Sequence, residues 1–120
     1  MNLKFDSSAP IYLQLVEQIK REIISEKIKS GERLPSVRDF SMQMKVNPNT
    51  MQKALTELEN LGLIYTERTN GKFVTENKKL IEKYKKENAK ELSVAYYQSM
   101  KDIGYDFDSM IDYLKKLGGK

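Results

Sequence analysis

The chain has 120 residues, 39% hydrophobic and 32% charged, which suits one domain with a small appendage rather than a large enzyme interior. It contains neither Cys nor His, so disulfides, thiolate metal sites and the commonest general base are excluded. The net charge of +4 permits a polyanionic partner without requiring one, and no apolar run approaches the roughly 20 residues of a membrane span.

Residues Met1 to Asp6 lack the long apolar segment of a secretory signal, so the cytoplasm is the expected compartment. Pro10 suits the first turn of a helix, with Ser8 or Ala9 as its cap. Ile11, Leu15, Val16, Ile19, Ile23 and Ile24 then recur at three- and four-residue spacing, with charged residues between them. This helix should fade near Lys27, ahead of Gly31. Ser36-Val37-Arg38-Asp39 fits a capping box, and Val37, Phe40 and Met44 predict a second helix of about two and a half turns.

Lys45-Val46 forms the turn. Asn47-Pro48 is another start signal, an Asn cap followed by Pro at the first helical position. Met51, Ala54, Leu55, Leu58 and Leu61 make the buried stripe of this third helix, which Gly62 should stop. Leu63–Thr66 and Lys72–Thr75 read as two strands, and the Asn70-Gly71 step between them favours a tight reversal with positive backbone φ. The helical period returns after Asn77 through Leu80, Ile81, Tyr84, Asn88, Leu92, Ala95, Ser99 and Ile103, ending at Gly104. Asp106 caps a last helix carrying Phe107, Met110, Ile111, Leu114 and Leu117, and Gly118-Gly119-Lys120 frays.

The predicted fold class is therefore mainly α with a small β-hairpin: a winged helix-turn-helix over residues 1–76, then two C-terminal helices over 77–120. Charge divides unevenly between the two parts. Residues 1–76 carry a net +1 and residues 77–120 a net +3, concentrated in Lys78, Lys79, Lys83, Lys85, Lys86 and Lys90. Such a run either solvates a helix or lies beside a polyanion.

With Met51, Leu55 and Leu58 turned inward, Asn49, Gln52, Lys53 and Thr56 project from the opposite side of the third helix. Asn and Gln suit adenine edges, Lys reaches guanine or phosphate, and a Thr methyl meets thymine. Asn47 and Thr50 at the helix start are placed for phosphate, and no acidic residue precedes Glu57. Arg38 leaves the second helix opposite its apolar side, toward a DNA backbone or groove edge. Solvation and capping would account for the same polar residues without DNA.

These residues together resemble the bacterial GntR-type transcription regulators. Pro10-Ile11-Tyr12-Leu13-Gln14-Leu15 is similar to that family's opening, and Gly31-Glu32-Arg33-Leu34-Pro35-Ser36-Val37-Arg38 to its G-x-x-L-P-S-x-R signature. Val46–Leu55 resembles its turn and recognition helix, while Leu58–Ile64 and Gly71–Val74 follow its strand and wing. A two-helix tail of this size looks like the YtrA-type subfamily, in which such helices form a homodimer. The resemblance implies phosphate contacts from Ser36 and Asn47, and a phosphate or base contact from Arg38. It also implies major-groove positions for Asn49, Thr50, Gln52 and Lys53, and a wing at Gly71 directed to the minor groove. Arg68 and Lys72 keep that wing cationic. Two departures stand out: Pro48 replaces an Arg common in the family, and Thr69 replaces the first wing glycine, where Thr resists positive φ.

The expected function is a homodimeric repressor on an inverted-repeat operator of double-stranded DNA, with a transporter operon as the target class the resemblance suggests. Tyr84, Leu92, Tyr96, Met100, Phe107, Met110, Ile111 and Leu114 form the expected dimer face, because the short last helix is too small to cover the longer one, the alternative being a tail folded back on its own winged domain. The alternative is a winged-helix protein-interaction module, for which an acidic or apolar third-helix face would be the mark. Scattered carboxylates give no nucleophile–base pair, so no enzyme is expected. Neither cofactor, metal nor membrane is implied, Asp102, Asp106, Asp108 and Asp112 being caps or solvated positions, and no residue cluster identifies a small-molecule effector.

Overall fold

The computed structural model describes residues 9–118. Five helices and one hairpin follow in the order α1 (Ile11–Ile24), α2 (Val37–Met44), α3 (Pro48–Asn60), β1 (Ile64–Glu67), β2 (Gly71–Val74), α4 (Lys78–Asp102) and α5 (Phe107–Leu117). Two compact units divide them, one reaching to Tyr84 and the other starting at Lys85.

In the first unit, Pro10 is the cap residue of α1 rather than its first helical residue, and its carbonyl accepts from Leu13 and Gln14 N–H. Ser8, one of the two expected caps, lies outside the described residues. The α1 stripe behaves as its period requires: Leu15, Val16, Ile19, Ile23 and Ile24 are buried, while Ile11 stays half exposed. Ser36 caps α2 by accepting from Asp39 N–H at 3.1 Å. Asn47 caps α3 by accepting from Asn49 N–H at 2.7 Å, with Pro48 following it.

Between α2 and α3 the chain turns at Lys45, whose φ of 56° lies in the left-handed region usually left to glycine. Lys45 N–H reaches Met42 C=O and Val46 N–H reaches Ser41 C=O, so the turn satisfies carbonyls that α2 leaves open. α3 ends in the same two-bond pattern. Gly62, at φ 78°, donates to Glu59 C=O, and Leu63 N–H reaches Leu58 C=O.

That second bond draws Leu63 into the end of α3, and each strand accordingly sits one residue away from its predicted place, β1 later and β2 earlier. The antiparallel register pairs Ile64 with Val74 and Glu67 with Gly71. A third segment, unforeseen in the sequence, joins the free edge of β2. Leu34 N–H donates to Lys72 C=O, Val74 N–H to Glu32 C=O, and Gly31 N–H to Val74 C=O, with Arg33 bridged to Phe73.

One core gathers Ile19, Phe40, Met51, Leu55, Leu58, Leu63 and Val74 from all of these elements. Ile81 of α4 is buried in it, and Tyr84 packs against it with its hydroxyl donating to Leu61 C=O at 3.0 Å. The first two turns of α4 thus complete the core of the first unit, past the expected boundary at residue 76.

In the second unit, α4 runs on to Asp102 and closes through Gly104 N–H to Lys101 C=O and Tyr105 N–H to Met100 C=O. Asp106 caps α5 by accepting from Ser109 N–H at 2.9 Å, and this bond holds its carboxyl below the ordinary range. The expected fraying at Gly119 and Lys120 lies outside the described residues. No helix among the described residues is long and apolar enough to cross a membrane.

Candidate nucleic-acid interface

The outward face of α3 follows from the inward one. Met51, Ala54, Leu55 and Leu58 are fully buried, so a 100° step per residue leaves Asn49, Gln52, Lys53 and Thr56 exposed. Gln52 Nε2 donates to Thr56 Oγ1 at 3.3 Å, one turn along, which ties two of the four together. Lys53 Nζ stands 4.9 Å from the ring centre of Tyr12 on α1, where the aromatic face steadies the ammonium without neutralising it. Thr50 is half-buried beside them.

The two caps use only part of their hydrogen-bonding capacity. Ser36 Oγ and Asn47 Oδ1 act as acceptors toward the helix, while the Ser36 O–H and the Asn47 amide NH₂ have no acceptor among the described residues. Donors left over at two helix starts suit a phosphate. Arg38 is exposed on α2 and pairs with no carboxylate among the described residues.

The wing departs from expectation in two ways. Its turn closes through Asn70 N–H to Glu67 C=O at 3.3 Å, and Gly71 alone in the turn takes positive φ, at 100°. The loop is therefore three residues, Arg68 to Asn70, followed by a left-handed glycine, shorter than the five residues expected between the strands, and the positive φ falls on Gly71. Thr69 has no positive φ to resist, so replacing glycine there leaves the backbone unstrained.

Lys72 is the second departure. Its Nζ donates to Glu59 Oε1 at 3.1 Å and to Thr66 Oγ1 at 2.9 Å, and Thr66 Oγ1 donates to the same Glu59 oxygen at 2.7 Å. The Thr66 hydroxyl is the main cause that holds the Glu59 carboxyl below its ordinary range; desolvation opposes it, and Lys72 adds to the lowering through its hydrogen bond and charge. This cluster fastens the end of α3 to both wing strands and offsets the Lys72 charge. Arg68, exposed in the loop, has no such partner among the described residues. Tyr65 and Phe73, directly opposite in the register, stack at 5.7 Å and stiffen the hairpin.

Sequence reasoning missed Arg33 here. Its guanidinium lies against the bare face of Gly71: a Cβ built there would stand 3.4 Å from Arg33 Nε and 3.6 Å from Nη2. The only local signal was a cation three residues before the Ser36 cap, which nothing in the period links to the wing.

The expected dimer face is also distributed unevenly. Tyr84 is engaged inside the first unit, flanked by Lys20 Nζ at 4.8 Å and Lys83 Nζ at 5.9 Å. Met110 is buried within the second unit. Leu92, Tyr96, Phe107, Ile111 and Leu114 line an open groove of about 410 Å³ around it, and Met100 is half-buried. Leu92 remains 64% exposed and Phe107 61%, values that leave an apolar face of the second unit uncovered among the described residues. Among the described residues no three His, Cys, Asp or Glu cluster as metal ligands.

Comparison with known proteins agrees with this geometry. The family model for bacterial regulatory proteins, gntR family, matches residues 11–74. The HTH-type transcriptional repressor YtrA of Bacillus subtilis (strain 168) is 36% identical over 125 aligned residues, covering 95% of this chain and 92% of that protein. The structure of a GntR family transcriptional regulator from Listeria monocytogenes matches with a TM-score of 0.84 at 39% identity, covering 93% of this chain and 98% of that one. The DNA-binding domain of AraR in complex with operator ORX1 matches with a TM-score of 0.57 at 28% identity, covering 62% of this chain and 96% of that one. With more than half its length inside the family model and nearly all of it aligned to YtrA, the chain belongs to the GntR family of DNA-binding transcription regulators, in the YtrA-like subfamily, and is not an enzyme.

Proposed function

We propose that the chain is a cytoplasmic, homodimeric repressor that reads an inverted-repeat operator. The observation that carries this reading is the outward face of α3, four exposed groups with base-reading chemistry and no carboxylate before Glu57. In it, Asn49, Gln52, Lys53 and Thr56 meet base edges in the major groove. Ser36, Asn47, Thr50 and Arg38 fix the register on phosphates. Arg68 and Gly71 bring the wing to the neighbouring groove, with Lys72 holding the wing against α3.

The uncovered apolar face of the second unit supports pairing of two chains through Leu92, Tyr96, Met100, Phe107, Ile111 and Leu114. Two-fold symmetry then selects an inverted repeat, and linking two modules raises avidity by roughly 10²–10⁴. The name of YtrA supports repression as the sign of control. The resemblance to that subfamily supports a transporter operon as the target.

Fluorescence anisotropy tests this on DNA from upstream of the chain's own gene, beside a scrambled duplex, across a salt series. The expected result is tight, salt-weakened binding to the inverted repeat well above the scrambled control. Gln52→Ala should relax one operator position by about 1–3 kcal/mol, whereas Ser36→Ala should weaken all duplexes alike. Equal loss on operator and scrambled DNA for Gln52→Ala would remove that residue from base reading. No binding to either duplex at low salt would favour a protein-interaction role.

A further inference from the structure

The wing's DNA-facing charge has to be reassigned among its basic residues. The hairpin carries two of them, Arg68 and Lys72, and Lys72 is bound to Glu59 at 3.1 Å with its side chain only 20% exposed. A lysine so paired has little reason to release a carboxylate for a phosphate, since the exchange gains one contact and loses another. Arg33 is in the opposite situation. The bridge to Phe73 and the Leu34 N–H bond to Lys72 C=O at 2.8 Å make its backbone part of the wing sheet, although it lies far from the hairpin in sequence. Its guanidinium covers Gly71 at the turn, the residue is exposed, and neither ion pair nor side-chain hydrogen bond engages it among the described residues.

We propose that Arg33 is a DNA-contacting residue of the wing, supplying beside Gly71 the cation that the hairpin's own Lys72 does not. This rests on the DNA-binding reading above. Three features favour it over a solvated arginine. The edge segment Gly31–Leu34 is fixed by three backbone hydrogen bonds to β2, so the side chain starts from a rigid base. Gly71 offers a surface without a side chain, which lets the planar fork lie close to the turn. A guanidinium also binds phosphate oxygens bidentately and enters a narrow minor groove more readily than an ammonium.

The test uses the full chain and the duplex that the wild-type protein enriches from a random-sequence pool. Failure to enrich any sequence would defeat the DNA-reading proposal itself, and so is separable from failure of Arg33. Arg33→Gln should weaken binding about tenfold and reduce the slope of log affinity against log salt by about 0.9, one phosphate's share. Arg33→Lys should restore that slope, which a purely structural role against Gly71 would not. If the contact is to a minor-groove edge, exchanging A·T for G·C beside the half-site should weaken the wild type and leave Arg33→Gln unchanged. If it is to phosphate, both should respond alike while the slope still falls. Wild-type affinity and slope in Arg33→Gln would overturn the proposal. So would a slope that falls in Lys72→Met and not in Arg33→Gln.

Discussion

The two units of this chain are built from the same kind of amphipathic helix, yet only one of them closes its apolar surface on itself. Up to Tyr84, each stripe meets another: Leu15 and Ile19 of α1 and Leu55 and Leu58 of α3 are all 0% exposed. From Lys85 onward, Met110 is the one large apolar residue fully buried among those described, while Leu92, Ile103, Phe107 and Leu117 are 61–75% exposed. The reason is geometric. On α5, Phe107, Met110, Ile111, Tyr113, Leu114 and Leu117 spread over an arc of about 160°, too wide for one neighbouring helix to cover: Met110 is buried and Ile111 half-buried, while the other four stay exposed. Three helices and a hairpin enclose a core; two helices do not. The first unit thus closes its own core, and among the described residues the second keeps an apolar face exposed.

The largest test of that contrast places a charge on the uncovered face. Phe107→Asp together with Leu114→Asp should abolish the pairing proposed above and leave a monomer by light scattering. Operator binding should weaken by roughly 10²–10⁴, the avidity of a second module. Because both side chains are exposed in the single chain, its helical circular dichroism should survive. A double variant that remained dimeric would place the partner surface elsewhere.

A pair of alanines sharpens the same comparison. Leu58→Ala removes a fully buried side chain and should cost about 2–5 kcal/mol at any protein concentration. Leu92→Ala starts from a mostly exposed residue, so its cost should come through association and shrink as concentration rises. Thermal unfolding over a concentration series separates them. Identical concentration dependence for both would contradict the division into closed and open units.

What was legible in the sequence was what short-range physics writes there. Asn47-Pro48 marks the start of α3, Gly62 its end, and the spacing of Met51, Ala54, Leu55 and Leu58 its buried side, which in turn defines the exposed polar face proposed above to read bases. Illegible were contacts with no local period. Arg33 meets the wing across some forty residues through a single bridge, too short to alternate. Lys72 and Glu59 lie 13 positions apart on different elements, so composition counted the lysine as a wing cation when its charge is already met. Tyr84 fits the α4 stripe equally well as dimer face or as core, and the Leu61 carbonyl decides for core. Lys45 takes left-handed φ without being Gly or Asn, because the buried packing of Met44 and α3 on either side dictates the turn.

The smallest effect concerns the tie between α3 and the wing. Glu59 is held below its ordinary pKa in the folded chain, by the Thr66 hydroxyl first and Lys72 after it. A carboxylate depressed on folding stabilises the fold above its unfolded pKa, and that contribution fades as pH falls through the folded value. The tie should therefore be constant from neutrality to about pH 5 and weaken below it. With the Glu59 side chain 41% exposed, solvent screening keeps its worth to at most about 1 kcal/mol. Comparing thermal midpoints of wild type and Glu59→Gln cancels the titration of every other carboxylate. The gap between them should be widest near neutrality and close as the pH falls through the folded pKa of Glu59, and it should narrow at high salt because the pair is partly exposed. A gap that stayed constant across that range would mean that Glu59 joins α3 to the wing by packing alone, with no part for its charge.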